Sequence, residues 1–134
     1  VKHVEPYEYK EESTGANTIS DSVGKIAEQI KAKLIIAFTQ SGITARRISR
    51  HRHQQAIIAV SPDPTIIRGL NFVWGVHPQL IKRTKSFDEM LKQAKDVAVK
   101  NSVRPLEKGE NYIISAGMPF GESGSTNMIL VEEV

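Results

Sequence analysis

Two stretches of this 134-residue chain carry residues suited to holding an anion. The first runs from Ala116 to Asn127 (AGMPFGESGSTN) and holds Gly117, Gly121, Gly124 and Pro119 beside a Ser-Gly-Ser-Thr run. Glycine lets the backbone come close to a ligand and aim several N–H groups at one anion. Serine and threonine hydroxyls add further donors. An apolar segment, Tyr112 to Ser115, enters this stretch, and another, Met128 to Val131, leaves it. A plain hairpin needs only about two to five turn residues, so a connection of this length reads as a binding loop or a long surface loop.

The second stretch is Thr39 to Thr44 (TQSGIT), between the apolar run Leu34–Phe38 and a helical pattern reaching about Arg50. A buried strand that feeds a polar turn and then a helix places unbonded N–H groups and the positive end of a helix dipole beside hydroxyls. Ordinary capping of that helix by Ser41 or Thr39 explains the same residues. The phosphate-loop pattern Gly-x-x-x-x-Gly-Lys-Ser/Thr does not occur.

The elements that position these stretches follow from periodicity. Thr18 is a good helix cap, and Ile19, Val23, Ile26, Ala27 and Ile30 fall at helical spacing, which predicts a helix over 18–32. Leu34–Phe38 and Ala56–Val60 are continuous apolar runs of strand length, as in parallel sheets buried on both faces. Asp63 before Pro64 predicts a capped short helix to about Asn71. Val76–Ile81 reads as a third strand, placed at an edge by Pro78. Ser86 caps a long helix whose apolar stripe is Phe87, Met90, Leu91, Ala94, Val97 and Ala98. Strands at 112–116 and 128–131 close the chain.

This alternation predicts an α/β fold: a three-layer α/β/α sandwich around a five-stranded, mostly parallel sheet with the last strand antiparallel. Residues 1–17 read as a linker or lead-in, and 18–134 as one domain. Ligands in such sheets bind beyond the carboxyl ends of the strands, where strand order reverses. If strands one and four are neighbours, the two stretches meet there.

Composition narrows the partners. There is no cysteine, which excludes disulfides and cysteine zinc sites. No apolar run approaches the roughly 20 residues of a membrane helix, so no membrane partner is expected. The net charge of +3 does not by itself imply nucleic acid. Arg46, Arg47, Arg50, His51, Arg52 and His53 form a basic block, without the aromatics or recognition helix of a nucleic-acid reader. It reads as the solvated end of a helix, and nucleic acid is not expected as a partner. His3, His51, His53 and His77 lack metal-ligand spacing, so no metal site is expected. Trp74 reads as a core or interface anchor. The chain starts at Val1, and the expectation is one domain excised from something larger.

Thr39–Arg46, Ala56–Val60, Val73–Val76, Lys108–Glu110 and Ala116–Asn127 occur in the order and spacing found in the C-terminal domain of pyruvate kinase. The chain resembles that domain over about 18–134. The resemblance implies the sandwich above, a regulatory role and a place in a subunit interface, hence a homo-oligomer. It implies the catalytic domain of the parent enzyme as partner and a cytoplasmic location. Carried over by position, the effector- or phosphate-binding residues are Thr39, Gln40, Ser41, Gly42, Thr44, Gly121, Ser123, Gly124, Ser125 and Thr126. The implied effector is a sugar phosphate or a nucleotide monophosphate. Ile43 replaces a polar or basic residue of many relatives, and Glu122 brings negative charge into the closing loop. Both point away from a bisphosphate.

The resemblance places catalysis elsewhere. The parent reaction, phosphoenolpyruvate and ADP to pyruvate and ATP, is implied for a barrel domain with Mg²⁺ and K⁺. No catalytic residue and no cofactor are expected in this chain, which should be inactive alone. Two other readings stay open: a free-standing phosphometabolite-binding module of the same fold, and a small phosphate-handling enzyme with Glu122 as its general base.

Overall fold

The computed structural model describes residues 15–51, 54–117 and 126–134. Helix α1 spans Gly15–Ile30, so it starts before the expected cap at Thr18. Gly15, Ala16 and Asn17 carry no apolar periodicity, so nothing in their residue types marks them as helical. The helix stops short of 32 because Lys31 turns left-handed, with φ 59°. The Ala32 amide donates to the Ala27 carbonyl at 2.9 Å, and that of Lys31 to Glu28 at 3.3 Å. These two bonds form a Schellman ending, in which glycine is the usual left-handed residue.

Strands β1 (Leu34–Phe38), β2 (Ala56–Ser61) and β3 (Val76–Leu80) are joined by α2 (Ile43–Ser49) and α3 (Pro64–Leu70). Helix α4 (Phe87–Lys100) leads to β4 (Asn111–Gly117), and β5 (Thr126–Glu133) ends the fold. The spatial order is β3-β2-β1-β4-β5. The first four strands are parallel, and β5 runs antiparallel to β4. Strands one and four are therefore neighbours, with Leu34 opposite Tyr112 and Ala37 opposite Ser115. Pro78 lies on an edge strand, as expected, where its missing N–H breaks no interior ladder.

Side chains alternate across the sheet and build two cores. On one face Leu34, Ile36, Ile58, Tyr112 and Ile114 pack with Met90, Ala94, Val97 and Ala98 of α4. On the other, Ile35, Ala37, Ile57, Ala59 and Ile113 pack with residues of α1, α2 and α3, among them Val23, Ala27, Ile48 and Leu70. That is the three-layer sandwich. Phe87 departs from the predicted apolar stripe: it opens α4 and stays exposed.

Local signals hold where capping chemistry is explicit. The Asp63 carboxylate accepts from the Thr65 amide at 2.9 Å, ahead of Pro64. The Ser86 hydroxyl accepts from the Glu89 amide at 3.1 Å, and the Glu89 carboxylate accepts from the Lys85 amide at 2.6 Å. Below α4, buried Asn101 organises the turn to β4. Its Nδ2 donates to the carbonyls of Val97, Ala98 and Arg104, and its Oδ1 accepts from the amides of Val103 and Arg104.

Arg104 then clamps Glu110 in a two-pronged pair, Nη1 to Oε1 at 3.0 Å and Nη2 to Oε2 at 2.8 Å. The Arg104 bond, with the Glu107 amide donating to the same carboxylate, holds the Glu110 pKa down at about 2. An unfolded glutamate titrates near 4.3. The folded value is the lower one, so the clamp contributes fully above the unfolded value and is lost as pH falls toward 2. Urea midpoints of the wild type and Glu110→Gln should therefore differ most near neutrality and converge between about pH 5 and pH 2. A gap that stays constant across that window would remove the clamp as its source.

Candidate functional site

The carboxyl end of β1 runs directly into Thr39. Its amide donates to the Val60 carbonyl of β2 at 3.1 Å, which fixes the turn to the sheet. Its buried hydroxyl accepts from the Gly42 amide at 2.8 Å. Gly42 has φ 88° and ψ −7° and is the cap residue of α2. The expected cap, Ser41 or Thr39, is thus displaced by one role: Thr39 braces the glycine and the glycine starts the helix. The Ser41 hydroxyl accepts from the Ile43 amide at a long 3.4 Å. The twist at Gly42 is left-handed, a conformation that glycine adopts without steric cost.

Around this turn Gln40 is exposed, Ser41 half-buried and Thr44 buried. Thr39, Gln40, Ser41, Gly42 and Thr44 come together at one end of the sheet, with Thr44 facing inward from the first turn of α2. Thr126 is the first residue of β5 and pairs with Gly117 across a register shift next to Ala116. Strand β4 separates it from β1, a span of about two strand spacings or roughly 10 Å. Gly121, Ser123, Gly124 and Ser125, together with Glu122, lie outside the described residues.

The topology gives this end of the sheet a special point. From β1 the chain moves by α2 to β2 and by α3 to β3, all on one side. It then crosses over through α4 to enter β4 on the other side of β1. Strand order reverses between β1 and β4, so the crevice outside their carboxyl ends is the switch point at which such sheets take ligands. Thr39 leaves one wall and Gly117 the other. The neighbouring Ser61–Asp63 turn leaves β2 at the same end; the sequence marked it only as a helix cap, not as part of a site. There the Asp63 amide donates to the Ser61 hydroxyl at 3.2 Å.

Two residues of the basic block make structural bonds. Arg46 donates to the Gly69 carbonyl at 3.2 Å and ties α2 to α3. His51 pairs with Asp21 of α1 at 2.8 Å. Arg52 and His53 lie outside the described residues. Trp74 is 48% exposed, which removes the core reading and leaves that of a surface anchor. The Ser49 hydroxyl donates to its carbonyl.

Comparison with known proteins bears on the whole domain. The family model "Pyruvate kinase, alpha/beta domain" matches residues 17–132. The pyruvate kinase of Lactobacillus delbrueckii subsp. bulgaricus is 41% identical over 125 residues, covering 91% of this chain and 21% of the relative. That of Lactococcus lactis subsp. lactis strain IL1403 is 39% identical over 132 residues, covering 98% of this chain and 25% of the relative. A crystal structure of Cryptosporidium parvum pyruvate kinase superposes with a TM-score of 0.76 at 27% identity, covering 92% of this chain and 23% of that one. The chain spans about a fifth to a quarter of the length of these relatives. Among the described residues, no helix is long and apolar enough to cross a membrane.

Proposed function

Since the chain belongs to the pyruvate kinase alpha/beta domain family, we propose that it is a regulatory and subunit-assembly domain with a phosphate-binding effector pocket. One observation carries the reading: the Thr39–Thr44 turn stands at the switch point between β1 and β4. The phosphate is held there by the turn of Thr39, Gln40, Ser41, Gly42 and Thr44, in which the Thr39 hydroxyl and the Gly42 amide brace one another and the remaining donors reach the ligand. Gly121, Ser123, Gly124, Ser125 and Thr126 supply the remaining contacts to the effector. The effector is a sugar phosphate or nucleotide monophosphate, because Ile43 brings no positive charge for a second phosphate and Glu122 would repel one.

The working partner is the catalytic domain of a pyruvate kinase in the cytoplasm, which converts phosphoenolpyruvate and ADP to pyruvate and ATP with Mg²⁺ and K⁺. Assembly uses the outer edge of β5, which has no neighbour in the sheet among the described residues. An unpaired edge is suited to meeting its own copy about a two-fold axis.

A thermal-shift screen of the chain against sugar phosphates and nucleotides tests the pocket. A ligand at a hundred times its dissociation constant stabilises the fold by about 2.7 kcal/mol, which moves the midpoint by several degrees. A shift from at least one monophosphate, abolished by an added Thr39→Ala substitution, is the expected result. No shift from any phosphate at millimolar concentration would remove the pocket.

A further inference from the structure

Helix α2 meets the candidate pocket at its first residue and a distant corner of the fold at its last. At the near end Gly42 stands directly before the helix, braced by the Thr39 hydroxyl. Leu70 and Ile66 of α3 pack against this glycine, within 3.4 and 3.6 Å of where a Cβ would stand. Midway, Arg46 Nη2 donates to the Gly69 carbonyl at 3.2 Å. At the far end the buried Ser49 hydroxyl donates to the Trp74 carbonyl. A serine in a helix has a nearer acceptor, the carbonyl four residues back. Ser49 reaches instead across 25 residues of sequence. Leu70 and Trp74 belong to one tight corner, in which the Val73 amide donates to the Leu70 carbonyl at 3.1 Å and the Val76 amide to the Val73 carbonyl at 3.2 Å. That corner opens β3, at the other end of the strands from the Thr39–Gly42 turn.

A helix of seven residues, roughly 10 Å long, is far below the ~12–15 residues that hold a helix together alone. Its order therefore comes from its ties at both ends, and helix formation is cooperative. Loosening the first turn frays the rod and releases Ser49; firming the first turn firms Ser49 and the corner with it. We propose that α2 is a lever which carries the state of the Thr39–Gly42 turn to the 70–76 corner and to Trp74. The strands beside it cannot do this, because β1 and β2 are buried and laddered on both edges. As a means of effector control the lever rests on the phosphate pocket proposed above; as a linkage between turn and corner it does not. A phosphate that orders the turn then restricts the corner without moving the sheet. Trp74 is the only tryptophan of the chain and half exposed, so its emission reports the corner directly.

Amide exchange in the wild type, Thr39→Ala, Ser49→Ala and the double variant decides the linkage without any ligand. The buried Ile36 and Ile58 amides report global unfolding and serve as the reference. Against that reference, Thr39→Ala should speed exchange at Val73 and Val76 about tenfold and alter Trp74 emission, although it removes a bond only at the near end. Coupling is reciprocal, so Ser49→Ala should speed exchange at Gly42. The double variant should exchange at the corner no faster than Ser49→Ala alone. A corner indifferent to Thr39→Ala, or effects that simply multiply in the double variant, would overturn the lever. Inorganic phosphate separates this outcome from the fate of the pocket. Where phosphate raises the thermal midpoint, it should also change Trp74 emission in the wild type but not in Ser49→Ala, which keeps the midpoint shift; a raised midpoint with unchanged emission in the wild type would sink the lever. An absent midpoint shift counts against the pocket, and the exchange rates still decide the lever.

Discussion

Gly42→Ala should lower the stability of the chain by about 1–3 kcal/mol, the cost of forcing a side chain into left-handed backbone. The native φ is 88°. A Cβ added there would sit 3.4 Å from Leu70 Cδ2 and 3.6 Å from Ile66 Cγ2, which is ordinary contact. Packing therefore contributes little, and backbone strain decides the sign. Urea unfolding should show a lowered midpoint with an unchanged slope, because the core is not altered. Ser41→Ala is the internal contrast. It removes one 3.4 Å bond and should cost no more than about 0.5 kcal/mol. A Gly42→Ala chain as stable as the wild type would mean that the Thr39 hydroxyl holds the turn without the left-handed residue. Because Thr39 and Gly42 hold one another, Gly42→Ala should also cost the phosphate response of the pocket.

The second large effect is expected from Asn101→Ala, at about 3 kcal/mol. Asn101 is buried and engages five backbone groups through one amide. Alanine would leave the part-buried Val103 and Arg104 amides without their side-chain acceptor and the carbonyls of Val97, Ala98 and Arg104 without their side-chain donor, each lost bond costing about 0.5–1.5 kcal/mol. Asn101→Asp separates the two halves of the role. It keeps the acceptor for both amides but repels the three carbonyls, so it should recover only part of the loss. Chemical denaturation of the two variants side by side measures this. Equal stability of Asn101→Ala and wild type would show that the turn finds other partners.

The strands were the most legible part of the fold, because buried parallel strands are uninterrupted apolar runs and few other structures of that length are. Leu34–Phe38 is both the clearest run in the sequence and the middle strand of the sheet. Strand ends were less visible. Glu132 and Glu133 extend β5 beyond Val131 through backbone pairing with Tyr112 and Asn111, and charged side chains give no sign of that. Helix starts were legible where a side chain caps them, at Asp63 and Ser86, and misread at Thr18, where a good capping residue lies inside the helix. At the candidate site, glycine and hydroxyls marked the turn. Which of them caps and which braces depends on dihedral angles that residue types do not specify. Exposure of Phe72, Trp74 and Phe87 was beyond the sequence as well, since an apolar residue reads alike whether it fills a core or waits for a partner.

The crossing of the chain from one side of β1 to the other also sets a timetable. Leu34 and its partner Tyr112 are 78 residues apart in sequence (112 − 34). At about 5–20 residues per second, a ribosome delivers the second roughly 4–16 s after the first. For the last 32 residues of that interval (112 − 80), β1, β2 and β3 have all been made while one flank of the middle strand stays open. The crevice between β1 and β4 is then among the last features to exist, and whatever protects the bare flank of β1 during synthesis governs how much of the protein reaches its final form.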